Sequence, residues 1–163
     1  AQVVHKLGVY WDTGPLPLTL ANMSELRHLE LCCVTNLRKL PPLGGLNQLR
    51  TVSIRDCRVL QCLPLSSHPL LYALRICNCT SFSELPDLAL LPSLEVLFVE
   101  GVPALKAIPE SILKMVRASC IHFYKCKGLR GFPLVMLFLP GLTEQATNTL
   151  LKVAETYPPP AKP

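Results

Sequence analysis

The sequence has little charge, few aromatic residues and no long uninterrupted apolar run. Charged residues make up 17% of its 163 residues and aromatic residues 6%, although half of the chain is hydrophobic. A transmembrane helix needs about 20 consecutive apolar residues, and the best candidate, Phe132–Leu142, is shorter and contains two prolines. The 16 lysines and arginines are scattered, so the net charge of +5 does not indicate nucleic-acid binding. We therefore expect neither a membrane nor a nucleic acid as a partner.

Glycine is also scarce, at 8 residues without a period, which excludes a collagen-like chain. The chain begins with alanine rather than methionine, and no basic segment followed by an apolar one marks a signal peptide. Because a complete soluble domain usually carries more charge, we expect a piece of a longer protein.

Leucine is abundant and regularly placed. The chain contains 33 leucines, about one residue in five. Six segments read apolar-x-x-apolar-x-apolar, and their middle apolar residues follow at steps of 22, 23, 22, 23 and 24 residues. These middle residues are Leu7, Leu29, Val52, Leu74, Leu97 and Ile121. A regular spacing of this length is typical of stacked repeats.

A second motif, apolar-x-x-apolar-Pro, follows the strand-like segment in five of the units. Its copies are Leu37–Pro41, Leu60–Pro64, Phe82–Pro86, Leu105–Pro109 and Leu129–Pro133. The alternating segment predicts a short strand with two inward apolar residues, and the proline prevents a long helix from following. One such turn cannot bury its own leucines, but stacked turns bury those of their neighbours. Together the two motifs resemble the leucine-rich repeat.

The predicted fold class is therefore an α/β repeat, a leucine-rich-repeat solenoid with short parallel strands on a concave face and irregular or 3-10 turns on the convex face. We expect about six repeats in residues 1–133, a C-terminal cap in residues 134–157 and a disordered proline-rich tail in residues 158–163. The cap would contain a helix from about Glu144 to Glu155. Its apolar face would consist of Ala146, Leu150, Val153 and Tyr157.

Three of the eight cysteines share one position, three residues after the last apolar residue of a strand. They are Cys57, Cys79 and Cys126. In leucine-rich repeats this position turns inward and meets backbone groups, so we expect buried structural thiols. Cys32 with Cys33, and Cys77 with Cys79, are the candidate metal ligands. No Cys-x-x-Cys pair or paired histidines accompany them, and Cys77 should face away from Cys79. We predict no metal site and no cofactor.

Two segments indicate a particular family of repeats. Leu40–Leu49 (LPPLGGLNQL) and Leu85–Leu94 (LPDLALLPSL) resemble the repeats of plant intracellular nucleotide-binding leucine-rich-repeat (NLR) immune receptors, of cereal type in particular. The repeats depart from that pattern by irregular lengths and by the loss of leucines between Met115 and Cys120.

The resemblance implies a protein-recognition module of a cytoplasmic receptor. Such a module senses a pathogen effector, directly or through a guarded host protein, and contributes to autoinhibition. The resemblance also implies an intramolecular contact with a nucleotide-binding domain outside this chain, since no Gly-x-x-x-x-Gly-Lys-Ser/Thr loop occurs here. A cytoplasmic location agrees with cysteines that follow the repeat rather than a disulfide framework.

The outward strand residues form the predicted binding face. Arginine and aromatic residues dominate protein interfaces, and several lie on this face, including Phe98, which we expect to be exposed between Arg75 and His122. The predicted protein-binding residues are Tyr10, Trp11, His28, Glu30, Arg55, Asp56, Arg75, Phe98, Glu100, His122, Tyr124 and Lys125. The alternative is that these are ordinary solvated strand residues.

An enzyme is not predicted. Cys120 and His122 share one strand face, but no orienting acid accompanies them. No catalytic residue is therefore assigned.

Two other functions fit the same repeats. One is an extracellular leucine-rich-repeat receptor ectodomain or cell-wall-enzyme inhibitor, in which the glycosylation sequons at Asn22 and Asn78 would matter. The other is the substrate-recognition arm of a ubiquitin ligase, in which an F-box would precede the repeats. The Leu-x-Gly-x-Ile-Pro segment of extracellular plant repeats is missing here, which favours the intracellular interpretation.

Overall fold

Six short strands form one parallel sheet in the described part of the chain. The computed structural model describes residues 4–10, 16, 19–130 and 144–156. The strands are β1 (Lys6–Tyr10), β2 (His28–Cys32), β3 (Thr51–Arg55), β4 (Ala73–Cys77), β5 (Val96–Glu100) and β6 (Cys120–Tyr124). Each strand pairs with the next one along the chain, in the order β1-β2-β3-β4-β5-β6. In these described ranges no helix is long and apolar enough to cross a membrane.

The strand register confirms the repeat alignment read from the sequence. Leu7 pairs with Leu29, and the same position continues without a slip to Ile121. The steps between repeats vary, yet the register does not, because the connecting segments between strands absorb the extra residues. The architecture is a leucine-rich-repeat solenoid, as predicted.

The core lies on one side of the sheet, where alternate strand residues meet the leucines of the connecting segments. In β2 the side chains of Leu29 and Leu31 are buried, whereas those of His28 and Glu30 are half-buried. The apolar-x-x-apolar-Pro motif supplies further core residues, including Phe82. Because the central repeats bury leucines against their neighbours, the hydrophobic effect acts between repeats more than within them.

The connecting segments contain 3-10 turns at Leu20–Asn22, Leu88–Leu90 and Glu110–Lys114. In the second of these, Oδ1 of Asp87 accepts a hydrogen bond from the backbone N–H of Ala89 at 3.0 Å and caps the turn. The irregular or 3-10 turns expected opposite the sheet are therefore present.

An α-helix, α1 (Glu144–Thr156), follows the repeats and contacts β6, the last strand of the sheet. It occupies the segment in which the sequence predicts a helix. The residues proposed for its apolar face (Ala146, Leu150, Val153 and Tyr157) have side chains outside the described part of the chain, as do residues 131–143 and 158–163.

A histidine occupies a core position that leucine or methionine occupies in the other repeats. Just before each of the strands β2 to β6, the backbone N–H of residue i+3 donates a hydrogen bond to the carbonyl oxygen of residue i. Residue i in successive repeats is Met23, Leu46, His68, Leu91 and Met115. The His68 side chain is completely buried; its Nε2 lies 3.0 Å from the carbonyl oxygen of Leu43 and its Nδ1 3.1 Å from that of Ser66. The imidazole therefore links two successive repeats inside an apolar core.

The chain leaves the strands β2 to β6 through a residue in the left-handed conformation. Cys33, Asp56, Asn78, Gly101 and Lys125 have φ values between 53° and 65°. The first four donate their N–H to the last residue of the next strand, as in Cys33 to Arg55 at 2.9 Å. Asp, Asn and Gly tolerate this conformation better than other residues, which explains three of the five residue types.

The thiols of the three cysteines that share one repeat position lie against backbone carbonyls, as predicted. The Sγ atoms of Cys57, Cys79 and Cys126 lie 3.4, 3.3 and 3.4 Å from the carbonyl oxygen two residues earlier, and all three residues are buried. Val34 and Val102 occupy the same position in other repeats. A thiol here acts as a small apolar residue with a weak donor. Cys77, two residues before Cys79, is half-buried rather than buried.

The buried thiol of Cys79 predicts a loss of stability at alkaline pH. Burial raises the pKa of Cys79 from 9.0 to about 12. The unfolded chain therefore releases this proton near pH 9 while the folded chain retains it, so stability is intact below pH 9 and falls above it. We expect a contribution of about 1 kcal/mol per pH unit.

Urea unfolding on both sides of pH 9 measures this effect. Cys79→Val is the matched control, since valine occupies the equivalent position in two other repeats. The alkaline loss should be smaller in Cys79→Val than in the wild type. Equal losses in both proteins would mean that Cys79 does not carry the effect.

Candidate binding face

The sheet face opposite the core carries the residues predicted to bind a partner; we call it the concave face. Three rows of outward residues cross it, and all three match the sequence prediction. The first row is Lys6, His28, Thr51, Ala73, Val96 and Cys120; the second is Gly8, Glu30, Ser53, Arg75, Phe98 and His122; the third is Tyr10, Cys32, Arg55, Cys77, Glu100 and Tyr124. Because strands in register align their side chains, these rows place residues from distant repeats side by side.

A polar network occupies the β1–β3 end of the face. Glu30 accepts a hydrogen bond at 2.7 Å from the Tyr10 hydroxyl and an ion-paired one at 3.3 Å from the Arg55 guanidinium. The hydrogen bond to Glu30 is the main reason that the pKa of Tyr10 is raised above 10.0. The pKa of Arg55 is also raised, first by its hydrogen bond to Cys32. We call Tyr10, Glu30 and Arg55 the Glu30 network.

A shallow pocket adjoins this network. Its volume is about 370 Å³. Its lining residues are Lys6, His28, Leu29, Glu30, Thr51 and Ser53. Nδ1 of His28 lies 2.8 Å from Oγ1 of Thr51, which orients the imidazole at the pocket wall. The pocket presents both a cation and an anion, so it suits a polar side chain of either charge.

An aromatic ladder occupies the β5–β6 end of the face. The rings of Phe98 and His122 stack at 4.3 Å with an angle of 9° between their planes. Tyr124 follows at 6.0 Å, and Nζ of Lys125 lies 5.2 Å from the Tyr124 ring centre. We call these four residues the aromatic cluster.

The stack corrects the expectation that Phe98 is exposed. The ring is half-buried because His122 covers it. Tyr124, by contrast, is exposed. The accessible part of the aromatic cluster is therefore the Tyr124 end rather than Phe98 itself.

Between the two groups, β4 carries an isolated cation. Arg75 is exposed and forms no ion pair with any residue that the structure describes. Ala73, also outward, is small enough to be buried beneath its neighbours. Glu100 is half-buried and faces Cys77, whose pKa is raised by burial first and by the charge of Glu100 second.

The structure therefore places eleven of the twelve predicted residues, and Trp11 lies outside the described residues. Tyr10, Glu30 and Arg55 come together, as do Phe98, His122, Tyr124 and Lys125. His28 lines the pocket, and Asp56 lies at the strand exit beside Cys33 rather than in either group. The repeat spacing assigns each outward residue to a strand and a row of the face, but it does not show which side chains are in contact.

The predicted binding residues did not include the pocket residues Lys6, Thr51 and Ser53, although the spacing placed them on this face, and the approach of Asp56 to Cys32 and Cys33 was not predicted. The sequence did contain a signal for the approach of Asp56 to the two cysteines. Asp56 aligns with Asn78 and Gly101 after the strand, and these residue types indicate a left-handed exit that also reorients Cys33.

Comparison with known proteins supports the fold and gives one plant relative. No protein-family model matches the chain. The protein SUPPRESSOR OF npr1-1, CONSTITUTIVE 1 of Arabidopsis thaliana is 29% identical over 143 residues, which are 83% of this chain and 10% of that protein. The chain thus spans about a tenth of the length of this relative.

Among solved structures, the leucine-rich repeat domain of the type III effector XopL is similar. Its TM-score is 0.62 at 20% sequence identity, and the match covers 80% of this chain and 55% of that one. At this identity the similarity concerns the fold, which is a scaffold typically used for binding rather than for catalysis.

Proposed function

We propose that this chain is the protein-recognition module of a cytoplasmic plant immune receptor of the NLR class, of cereal type. In this proposal the concave face senses a pathogen effector, directly or through a guarded host protein. The module also contacts a nucleotide-binding domain outside this chain and so contributes to autoinhibition. The supporting observation is a continuous sheet face on which arginine and aromatic side chains stand at the register positions that a partner would contact. The repeat motifs and the similarity to an Arabidopsis thaliana protein support the plant receptor class.

The chemistry of the face supports binding in two different ways. In the Glu30 network the charges of Glu30 and Arg55 are already paired. A partner that separated them would lose the free energy of this ion pair, so it would more easily contact the network without breaking the pair. Arg75 forms no ion pair within the described residues, and the Tyr124 ring is exposed although Lys125 lies against it. Arg75 and Tyr124 stand two strands apart on this face, and arginine and tyrosine are among the residues enriched in interface hot spots. We therefore assign the strongest contacts to β4–β6.

Substitutions on β4 and β5 test this assignment. Arg75→Glu reverses the free charge, and Phe98→Ala removes the base on which His122 stacks. Each should weaken partner binding by about 2 kcal/mol or more, a loss of roughly thirtyfold. The measurement is affinity capture from plant extract with wild type and variants, followed by titration of the recombinant form of any protein that only the wild type retains.

Two matched substitutions away from the face serve as controls. Arg38→Glu makes the same charge reversal in an exposed connecting segment, and Leu90→Ala truncates an exposed apolar side chain in a 3-10 turn. Both should bind like the wild type. If the controls lose binding while Arg75→Glu and Phe98→Ala keep it, the binding surface is on the connecting segments and the concave-face assignment is wrong.

A further inference from the structure

Two adjacent cysteines and an aspartate of the next repeat converge beside the concave face. The Sγ atoms of Cys32 and Cys33 lie 3.4 Å apart. These sulfurs and a carboxylate oxygen of Asp56 all lie within 4.8 Å of one another. All three residues are half-buried, so the group is reachable from solvent yet partly sheltered.

The backbone brings these side chains together. Adjacent residues of an extended strand point to opposite faces, and Cys32 and Cys33 would do so if β2 continued. Cys33 instead has φ of 60°, which ends the strand and turns its side chain back toward Cys32. A left-handed conformation is unfavourable for a residue with a side chain such as cysteine, so the fold maintains this arrangement against a local preference.

The repeat geometry brings Asp56 to the same place. Asp56 is the left-handed residue after β3, one repeat beyond Cys33, with φ of 54°. The N–H of Cys33 donates to the carbonyl of Arg55 at 2.9 Å, which fixes the two strand exits side by side. The three donor groups are thus positioned by paired backbone rather than by flexible side chains.

We propose that Cys32, Cys33 and Asp56 bind a thiophilic divalent cation of the zinc class. A tetrahedral zinc ion with metal–sulfur bonds of about 2.3 Å places two sulfurs about 3.8 Å apart, a few tenths of an ångström from the separation of these thiols. Two sulfurs and one oxygen select zinc or cadmium over magnesium or calcium, which prefer oxygen ligands alone. Three protein ligands leave a fourth position for water or for a partner's side chain.

The local charges suit such an ion. Binding breaks two S–H bonds, releases two protons and forms two metal–sulfur bonds, so two thiolates, one carboxylate and the ion together carry one negative charge. Arg55 lies against Cys32 and supplies a compensating positive charge. Arg55 also pairs with Glu30 at 3.3 Å, so the ion would be connected to the Glu30 network of the concave face.

The reduced chain, titrated with cadmium ions, provides the direct test. Cadmium bound to thiolates gives a charge-transfer absorption in the ultraviolet, which should saturate at one ion per chain with the release of two protons. Zinc ions should compete for the same site. Because the ligands come from two repeats, zinc should also raise the melting temperature in a concentration-dependent way. A titration of the wild type without saturable absorption would overturn the proposal.

Three variants locate the site. Cys33→Ser removes a ligand and should weaken cadmium binding at least about a hundredfold, with roughly half of the absorption lost. Asp56→Asn keeps a residue type that accepts the left-handed conformation, so it should fold normally, retain the absorption and bind at least about tenfold more weakly. Cys62→Ser, a half-buried cysteine outside the site, should behave like the wild type.

Circular dichroism shows whether each variant is folded. If Cys33→Ser fails to fold, Asp56→Asn decides the question alone. Wild-type affinity in a folded Cys33→Ser, or in Asp56→Asn, would show that the ion binds elsewhere.

Discussion

Leu74→Asp is expected to unfold the repeat array. Leu74 is completely buried in β4, between Val52 of β3 and Leu97 of β5. The substitution removes a core leucine and places a carboxyl group among the buried apolar side chains of the neighbouring strands. The two effects together should cost roughly 5 kcal/mol or more. Since domains of this kind are stable by only about 5–15 kcal/mol, this is most or all of the available stability.

The position of β4 makes the loss global. Repeats are stabilised mainly by their nearest neighbours. Without the fourth repeat, the array is divided into pieces with three strands and two strands, whereas about three repeats are the minimum for stability. We expect a loss of the far-ultraviolet circular dichroism signal and of cooperative urea unfolding.

Arg75→Asp is the matched control, because it introduces the same side chain at the next position, which is exposed. Exposed substitutions usually change stability by about 0.5 kcal/mol or less. A folded Leu74→Asp protein with a transition close to that of the wild type would show that the assignment of inward and outward strand residues is reversed.

His68→Ala is expected to have the second-largest effect on stability. The side chain is fully buried, and both ring nitrogens face backbone carbonyls. Alanine leaves a cavity in the leucine ladder and removes the link to Leu43 in the preceding repeat. Comparable truncations cost about 2–5 kcal/mol from the cavity alone, and the loss of a hydrogen bond adds about 1 kcal/mol.

His68→Leu separates these two contributions. Leucine occupies the same position at Leu46 and Leu91, so it should fill most of the space. The carbonyl of Leu43 keeps its hydrogen bond from the N–H of Leu46 at 2.9 Å. We therefore expect His68→Leu to cost only about 1 kcal/mol. Denaturant unfolding of the three proteins should rank wild type, then His68→Leu, then His68→Ala. Equal losses in the two variants would mean that packing contributes little at this position.

His68 also shows why part of the core could not be derived from spacing. Leu46 follows Leu40, and Leu91 follows Leu85, at a step of six positions, whereas His68 follows Leu63 at a step of five. Because this connection is one residue shorter, the repeats cannot be aligned there by spacing alone. His68, a polar residue, then occupies the core position that leucine or methionine occupies in the other described repeats. The inward strand residues were predictable, because a period of two and a fixed repeat length determine them.

For the candidate site, too, the sequence predicts which residues face outward but not which of their side chains are in contact. Register follows from the repeat, so the neighbours of Arg75 and Phe98 across the sheet were known in advance. Contacts such as the stack of Phe98 on His122 depend on side-chain rotamers, which spacing does not contain. The approach of Cys33 to Cys32 depends on the sign of a single backbone dihedral angle.

Because buried and outward residues alternate along each strand, mutations that alter the surface are separate from mutations that alter the core. A mutation of an outward residue changes the concave face but leaves the buried leucines unchanged, so the chain still folds. Insertions of one or two residues in the connecting segments are also accommodated, since steps of 22 to 24 residues share one register. A gene encoding such a chain can therefore accumulate variation on the concave face at little cost in stability.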